Sequence, residues 1–197
     1  MNQLLLVRHG ESTWNAEGRL QGEAEVPLSD RGRHQARDLA TMIRELAPDH
    51  AVTSDLGRAA ETAALLGHAD ATADPAWREA HLGEWTGRLA ADLIANDGDA
   101  YLAWREGRRT PPGGEPWEQL VKRISAAIDA LRKRGGIHLV VTHGGPIRAA
   151  CAALVGLEPS NIVPVGPASV TVIDIDGRPR LRAFNLTPIH APQETAE

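Results

Sequence analysis

Near its start the chain reads Leu4-Leu5-Leu6-Val7-Arg8-His9-Gly10. The apolar run at its beginning is typical of a strand that is buried on both faces of a parallel sheet. A second run, Ile137 to Thr142, predicts a similar strand and also ends in a histidine followed by glycine, His143-Gly144. Both histidines are therefore expected just beyond the carboxyl end of a buried strand, where open α/β sheets bind ligands.

Helical and extended patterns alternate between and after these two strands. Ser29 is expected to cap a helix that Pro48 ends, and Trp117 to Arg134 repeats apolar residues at helical spacing. Further strands are predicted at 51–53, 168–175 and 181–184, and further helices at 56–66, 91–95, 100–105 and from Pro146 onward. This order predicts a three-layer α/β/α sandwich around a mostly parallel central sheet.

Chain length and charge limit the domain count and the partners. The 197 residues predict a single domain spanning residues 1–197, with a small helical cap inserted at about residues 86–116. The net charge of −5 argues against sequence-independent binding of nucleic acid, which requires a basic surface. No apolar run approaches the ~18 residues that span a bilayer, and the N-terminus lacks signal-peptide features. We therefore expect a cytoplasmic protein without membrane contact, and the sequence leaves a homodimer open.

Cysteine and histidine usage argues against a metal site. Cys151 is the single cysteine, which excludes a disulfide framework and a multi-thiolate zinc site. Glu11 is close to His9, but no carboxylate stands at ligand spacing beside His143, so we predict no bound metal and no cofactor. The remaining central histidines are interpreted as ordinary surface or core residues, namely His34, His50, His68 and His138.

Arginine and glycine beside the two histidines favour an anionic ligand. Arg8 precedes His9, and Arg58 opens the helix that follows Ser54. An arginine presents a fixed fork of donors that matches phosphate oxygens, and glycine lets a ligand approach backbone N–H groups closely. A site with this composition can be locally positive although the whole chain is acidic.

The motif Leu6-Val7-Arg8-His9-Gly10-Glu11-Ser12 resembles the signature of the histidine phosphatase superfamily, branch 1, the family of cofactor-dependent phosphoglycerate mutases and related phosphatases. The resemblance runs from residue 3 to about residue 190, with its motifs in order. The further motifs that carry it are Asn15 with Leu20-Gln21-Gly22, Pro27-Leu28-Ser29 with Gly32, Ser54-Asp55-Leu56 with Arg58, Arg78-Glu79 with Gly83-Glu84-Trp85, Thr142-His143-Gly144-Gly145 with Arg148, and Asn185 with His190.

The resemblance implies a role for each matching residue. His9 would attack phosphorus and become phosphohistidine, while Arg8, Arg58 and His143 would bind the phosphoryl oxygens. Glu79 would protonate the leaving alkoxide and then deprotonate water. The order of the acid motif favours this residue over its nearby competitor, Glu84. The other phosphate donors that the resemblance implies are Asn15 and the backbone N–H of Gly144.

The same resemblance leaves the reaction open between hydrolysis and transfer. The short chain and the segment Pro112-Gly113-Gly114-Glu115 favour the phosphatases, although Pro116 replaces the serine usual there. Arg108-Arg109 only partly matches the basic motif of the mutases. We therefore predict a metal-independent phosphomonoesterase, a phosphoric monoester hydrolase of the histidine acid phosphatase type. The alternatives are a 2,3-bisphosphoglycerate-dependent phosphoglycerate mutase and a catalytically dead regulator that binds a phosphorylated ligand.

The substrate is specified only as a small-molecule phosphomonoester. The residues expected to contact its leaving group are Gln21, Gly22, His81, Trp85 and Trp104. Packing inside the cap is an equally good interpretation of the aromatic side chains among them. The stretch from Arg78 to Trp85 is also similar to the sugar-phosphoglycerate phosphatases of actinobacteria.

Overall fold

The computed structural model of the protein describes residues 2–188, which form six strands and six α-helices. The strands are β1 (Gln3–Arg8), β2 (His50–Thr53), β3 (Thr72–Ala73), β4 (Ile137–Thr142), β5 (Val170–Asp174) and β6 (Arg180–Leu186). The helices are α1 (Thr13–Ala16), α2 (Asp30–Leu46), α3 (Gly57–Leu65), α4 (Ala90–Arg105), α5 (Trp117–Arg134) and α6 (Gly144–Val155).

One sheet joins all six strands in the order β3-β2-β4-β1-β5-β6. The pairs β2–β3, β2–β4 and β1–β4 are parallel, whereas β5 lies antiparallel to both β1 and β6. The predicted mostly parallel α/β fold is confirmed. Because β6 covers β5, the stretch Val170 to Val172 lies inside the sheet and is not an edge that could pair across a dimer.

Two apolar layers enclose the sheet because successive side chains of a strand point to opposite faces. Leu4 and Leu6 of β1 pack on one face, together with apolar residues of α5 and α6. Leu5 and Val7 pack on the other face, against α2 and α3. All four side chains are fully buried, which explains why the run is apolar throughout and does not alternate.

The helix boundaries follow the capping signals in the sequence. Ser29 is the N-cap of α2, and its hydroxyl oxygen accepts a 3.0 Å hydrogen bond from the Gly32 backbone N–H. Helix α5 spans the predicted residues, and Gly135 ends it with a positive φ of 73°. Helix α2 stops at Ala47 in the left-handed conformation, just before Pro48.

The region between Asp70 and Glu115 was the least regular in the sequence. The two short helices predicted there form one element, α4, with an internal break at Asp97, where φ is −157° and ψ is 79°. The short elements α1 and β3 were not predicted, since four and two residues are too few to show a period. Of residues 2–188, no helix combines the length and apolar character needed to cross a bilayer. The predicted motif residue His190 lies outside the described residues.

Candidate active site

The sheet brings the two predicted histidines together. Strands β1 and β4 are parallel neighbours with Arg8 opposite Thr142, and the His9 backbone N–H donates a 2.9 Å hydrogen bond to the Thr142 carbonyl. His143 follows Thr142 and is the N-cap of α6. The ring centroids of His9 and His143 lie 5.1 Å apart, with the rings edge to face. The two strand ends thus converge on one place, as the sequence suggested.

The tautomer of His9 is set by the backbone. Its Nδ1 lies 2.6 Å from the carbonyl oxygen of Gly10, which can only accept a hydrogen bond. Nδ1 therefore carries the ring proton, and Nε2 keeps its lone pair. A histidine held in this way can attack an electrophile through Nε2.

His9 is also kept neutral by its surroundings. Burial lowers its pKa well below the usual 6.5, and the positive charges of Arg58 and Arg8 lower it further. The hydrogen bond to the Gly10 carbonyl acts in the opposite direction but is the smaller influence. The neutral imidazole is thus the stable form across the physiological pH range.

The loop at residues 22–24, which precedes α2, anchors the side chain of Arg58. Its Nη1 and Nη2 donate 2.7 Å hydrogen bonds to the carbonyls of Ala24 and Gly22, and its Nε lies 3.3 Å from His9 Nε2. The side chain is 1% exposed, and this burial lowers its pKa from 12.5 to about 10. The guanidinium therefore remains charged at neutral pH, in a fixed position beside the free nitrogen of His9.

Arg8 is held from the opposite side of the sheet. Its Nη1 donates to the Val165 carbonyl, and its buried Nε has no partner among the described residues. The loop that supplies this carbonyl is tied to β6, because the Gly166 backbone N–H donates a 2.6 Å hydrogen bond to Asn185 Oδ1. Asn185 itself has a positive φ of 57°. The predicted motif residue Asn185 thus shapes the loop that orients Arg8.

His143 is fully buried and has one side-chain partner. Its Nε2 lies 2.9 Å from Ser54 Oγ, while Nδ1 has no hydrogen-bond partner within residues 2–188. Burial lowers its pKa well below 6.5, and Arg58 and His9 add to this effect. His143 is therefore a neutral imidazole with one ring nitrogen uncommitted.

Glu79 faces the same space from the loop that follows β3. Its Oε1 accepts a 2.8 Å hydrogen bond from the Ala80 backbone N–H, and its Oε2 accepts a 3.2 Å bond from that of Gly145. The Gly145 bond joins the carboxyl group to the first turn of α6. Glu84, the competing candidate acid, is exposed and does not line the cavity.

A cavity of about 150 Å³ lies over these side chains. The predicted site residues that line it are Arg8, His9, Asn15, Gln21, Gly22, Arg58, Glu79, Trp104 and Gly144. His143, His81 and Trp85 are not in its wall. His81 is exposed, with Nδ1 3.1 Å from the Gly113 carbonyl, and Trp85 packs edge-on against Trp104 at 5.6 Å.

Several cavity residues were not assigned to the site from the sequence, namely Arg19, Arg105, Arg109 and Arg148. A signal was present for Arg148. It stands four residues after Gly144 on α6, and residues at this spacing share one helix face. Arg19 lies in the loop after α1, and Arg105 and Arg109 lie at the end of the broken helix α4 and in the loop after it, where no continuous period indicates the direction of a side chain.

The mostly parallel α/β sheet brings one neutral histidine and two guanidinium groups to one cavity, with a second neutral histidine packed beside the first. This arrangement is suited to a protein that binds an oxyanion next to the free nitrogen of an imidazole. Among residues 2–188, no group of three or more histidine, cysteine or carboxylate side chains could hold a metal ion. The cavity wall contains several arginine side chains, which supply positive charge there.

The chain belongs to the histidine phosphatase superfamily, branch 1, whose sequence model matches residues 4–187. It is 36% identical over 174 residues to the glucosyl-3-phosphoglycerate phosphatase of Mycolicibacterium vanbaalenii, covering 82% of this chain and 77% of that one. It is 35% identical over 170 residues to a probable phosphoglycerate mutase of Escherichia coli, covering 80% and 76%.

Solved structures agree with the family assignment. The structure of a mycobacterial glucosyl-3-phosphoglycerate phosphatase in complex with VO3 matches with a TM-score of 0.85 and 33% identity, covering 95% of this chain and all of that one. A putative α-ribazole-5'-phosphate phosphatase from Escherichia coli matches with a TM-score of 0.81 and 30% identity, covering 96% and 98%. These likenesses support a phosphatase of this superfamily.

Proposed function

We propose that the protein is a metal-independent phosphomonoesterase of the histidine acid phosphatase type, which hydrolyses a small phosphorylated metabolite through a phosphohistidine intermediate. The observation that carries the proposal is the geometry of His9. Its Nδ1 proton is held by the Gly10 carbonyl, and its Nε2 lies 3.3 Å from the anchored Arg58 guanidinium. The phosphatases among its relatives support the same reaction class.

The first step would transfer the phosphoryl group to the protein. The Nε2 lone pair of His9 forms a bond to phosphorus while the bond from phosphorus to the alkoxide oxygen breaks. Arg8 and Arg58 stabilise the charge on the phosphoryl oxygens, with His143, Asn15 and the Gly144 N–H as further donors. A protonated Glu79 gives its proton to the leaving oxygen, so that a neutral alcohol departs.

The second step would regenerate His9. A water molecule in the place of the departed alcohol attacks phosphorus, and Glu79, now a carboxylate, accepts a proton from it. The bond between phosphorus and Nε2 breaks, and the imidazole takes back its lone pair. The same carboxyl group thus serves as acid and then as base, as microscopic reversibility requires for two similar displacements.

We further propose that residues 86–116 act as a cap within a single domain. Five residues from α4 and the following loop line the cavity, namely Trp104, Arg105, Gly107, Arg109 and Glu115. Three aromatic side chains support this segment, since Trp85, Tyr101 and Trp104 have ring centroids between 5.4 and 6.5 Å apart. The cap would thereby bring the leaving group into contact with side chains that the sheet does not supply.

Phosphate release in EDTA tests the proposed function. We expect the protein to release phosphate from members of a phosphomonoester panel at the same rate with and without EDTA. Because burial and two arginines hold the pKa of His9 well below 6.5, its protonation should not lower kcat/KM as the pH falls from about 8 to about 6. Isomerisation of 3-phosphoglycerate that depends on 2,3-bisphosphoglycerate, with little release, would identify a mutase instead. Loss of turnover in EDTA with recovery on metal addition would also contradict the proposal.

Two substitutions test Glu79 as the acid. Glu79→Gln should lower kcat by about 10²- to 10⁴-fold for an alkyl phosphate, because an amide cannot protonate the leaving oxygen. Gly145→Ala should reproduce part of this loss, up to about 10²-fold, with Glu79 intact. A Cβ at Gly145 would lie 2.1 Å from Glu79 Oε1, so the carboxyl group must move away. Steady-state kinetics and melting temperature are the measurements, and little change in melting temperature is expected for either variant.

The leaving group and a matched variant make this test specific. With p-nitrophenyl phosphate the loss of kcat/KM in Glu79→Gln should be much smaller, since this constant reports the first step and that leaving group departs without a proton. The loss of kcat should persist, because Glu79 also accepts the proton of the attacking water. Glu84→Gln is the control, because Glu84 is exposed and outside the cavity wall. A larger loss in Glu84→Gln than in Glu79→Gln would show that the acid had been assigned to the wrong carboxylate.

A further inference from the structure

The segment that carries Glu79 is not held by a helix or a strand of its own. It lies between two short 3₁₀ turns, Pro75–Trp77 and Gly83–Trp85, and residues 78–82 belong to neither a helix nor a strand. The carboxyl group of an acid must nevertheless be held closely, because a misplacement of about 1 Å can lower a rate about 100-fold. Hydrogen bonds from neighbouring elements must therefore hold this backbone in place.

Arg123 of α5 holds the backbone on the N-terminal side of Glu79. Its Nη1 donates a 2.8 Å hydrogen bond to the carbonyl of Ala76 and a 3.0 Å hydrogen bond to the carbonyl of Arg78. The Arg78 carbonyl belongs to the planar peptide group whose nitrogen is that of Glu79. The second bond therefore fixes the peptide plane from which the Glu79 side chain extends.

Glu115 holds the same segment on the C-terminal side of Glu79. Its two carboxylate oxygens accept hydrogen bonds from Nε and Nη2 of Arg123, at 3.0 and 2.7 Å. Its backbone N–H donates a 2.7 Å hydrogen bond to the carbonyl of His81. One ion pair thus binds the chain both before and after the proposed acid.

The ion pair fixes the guanidinium of Arg123 in one orientation. Its contacts with Glu115 and the two carbonyls use four of its five N–H donors, whose relative positions are set by the planar group. The side chains of Arg123 and Glu115 are only 25% and 16% exposed, so water and salt screen this pair less than an exposed one. Glu115 lines the cavity, but both of its oxygens already bind Arg123. It therefore acts as the partner of the arginine and not as a second acid.

The segment has another anchor that does not involve Arg123. The carbonyl of Trp77 accepts a 2.7 Å hydrogen bond from Thr142 Oγ1 at the end of β4, and the Trp77 side chain is buried in the core. These contacts attach the segment to the sheet, but they do not bind the peptide group that joins Arg78 to Glu79. Loss of Arg123 should therefore reorient the Glu79 side chain while the segment stays attached to the fold.

We propose that Arg123, oriented by Glu115, is a positioning residue that keeps the Glu79 carboxyl group in the cavity and on the Gly145 N–H. This inference rests on the proposed function, since it takes Glu79 as the acid and base of that reaction. The 3.2 Å bond from Gly145 is at the long end of the usual range and does not fix the carboxyl group alone. Arg123 does not line the cavity and acts only through the backbone.

Two substrates with different leaving groups test this role on the full-length protein. Arg123→Gln should lower kcat/KM for glycerol 3-phosphate about 10- to 100-fold, because a displaced carboxyl group protonates the alkoxide poorly. For p-nitrophenyl phosphate kcat/KM should change little, since that leaving group departs without a proton. The inhibition constant of inorganic phosphate should be unchanged, because Arg8 and Arg58 are untouched. A merely structural role would lower kcat/KM for both substrates alike.

Conservative and control variants accompany this measurement. Arg123→Lys should recover part of the loss, because one ammonium group can bind the carbonyls or the Glu115 carboxylate but lacks the fork that binds both. Glu115→Gln removes the charge that orients the guanidinium and should lower the same ratio of the two kcat/KM values. Arg132→Gln is the matched control, since Arg132 lies on the same helix, pairs with Asp129 at 3.0 Å and does not line the cavity. It should leave the ratio unchanged.

A double variant and an NMR measurement show whether Arg123 acts through Glu79. Adding Arg123→Gln to Glu79→Gln should lower kcat/KM for glycerol 3-phosphate little further, because no carboxyl group is left to position. The amide resonance of Gly145, whose N–H binds Glu79, should shift in Arg123→Gln in the same direction as in Glu79→Gln. It should not shift in Arg132→Gln. If melting curves show that Arg123→Gln does not fold, Glu115→Gln serves for the same measurements.

Three results would overturn the inference. They are equal losses for both substrates in Arg123→Gln, full additivity with Glu79→Gln, and an unshifted Gly145 resonance. Failure of the proposed function gives a different result, because Glu79→Gln would then leave the turnover of glycerol 3-phosphate unchanged, or no phosphomonoester would be hydrolysed. In that case the Gly145 resonance alone decides whether Arg123 positions the carboxyl group.

Discussion

His9→Ala is expected to abolish phosphate release, with a loss of kcat of about 10⁴-fold or more. The substitution removes the Nε2 atom that would form the bond to phosphorus, and no other described nitrogen is placed to replace it. His143, the nearest ring, is 5.1 Å away between centroids, does not line the cavity and has its Nε2 beside Ser54. Steady-state phosphate release measures the loss. Rapid acid-free quenching with a radiolabelled substrate should trap phosphoryl-protein in the unsubstituted chain only.

A surface histidine provides the control for this experiment. His34 is exposed on α2, with Nδ1 2.8 Å from the Asp30 carbonyl of its own helix. His34→Ala should leave both the rate and the trapped phosphoryl-protein unchanged. A labelled adduct that persists in His9→Ala would mean that another residue is the nucleophile. Turnover that depends on His9 would exclude the reading of this protein as an inactive phospho-ligand-binding regulator.

The sequence was most informative where the type of a residue and its position along a predicted element point to the same structure. The apolar runs before His9 and His143 predicted buried strands, and the glycine after each histidine predicted a close approach of chain or ligand. That these two strands are neighbours does not follow from either run, because they are more than 120 residues apart. The convergence was inferred from the common architecture of open parallel sheets, and the register of Arg8 with Thr142 confirmed it.

Side-chain direction in irregular segments was the part that could not be predicted. His81 was expected beside the leaving group because it is close to Glu79 in sequence, and Trp85 because it lies next to the segment expected to form the cap. In the structure His81 is exposed just before a 3₁₀ turn that ends at Trp85, and neither side chain reaches the cavity wall. Arg105 was not assigned to the site for the same reason, since α4 is broken at Asp97 and its helical period does not continue across the break.

The net charge of the chain also does not indicate the sign of the charge in the site. A protein with a formal charge of −5 builds a cavity whose wall contains six arginines and two glutamates. The acidic excess lies outside the cavity wall, which contains two of the 26 aspartate and glutamate residues of the chain. Composition therefore excludes a basic surface for nucleic acid but carries no information about the sign of one buried site.

Gly32→Ala is expected to give the largest loss of stability, because two backbone segments meet at this residue. A Cβ at Gly32 would lie 1.9 Å from the carbonyl oxygen of Glu11 and 2.7 Å from the backbone nitrogen of Glu11. Neither atom can rotate away as the end of a side chain could. The Glu11 carbonyl also accepts a 2.8 Å hydrogen bond from the Ser29 N–H, so any shift disturbs the start of α2. We expect a loss of about 3 kcal/mol in the free energy of unfolding, or about 6–12 °C in melting temperature.

The same contact links stability to the reactive histidine. Gly10, whose carbonyl holds His9, packs against Gly32 so closely that its own Cβ would lie 2.4 Å from the Gly32 carbonyl oxygen. Gly32→Ala should therefore lower kcat even at temperatures where the variant remains folded. Gly98→Ala is the control, because a Cβ at this helical position would make only an ordinary 3.9 Å contact with Ile94. Urea unfolding of both variants measures the difference in the free energy of unfolding. Equal free energies would mean that the loop carrying His9 can shift more easily than its backbone hydrogen bonds imply.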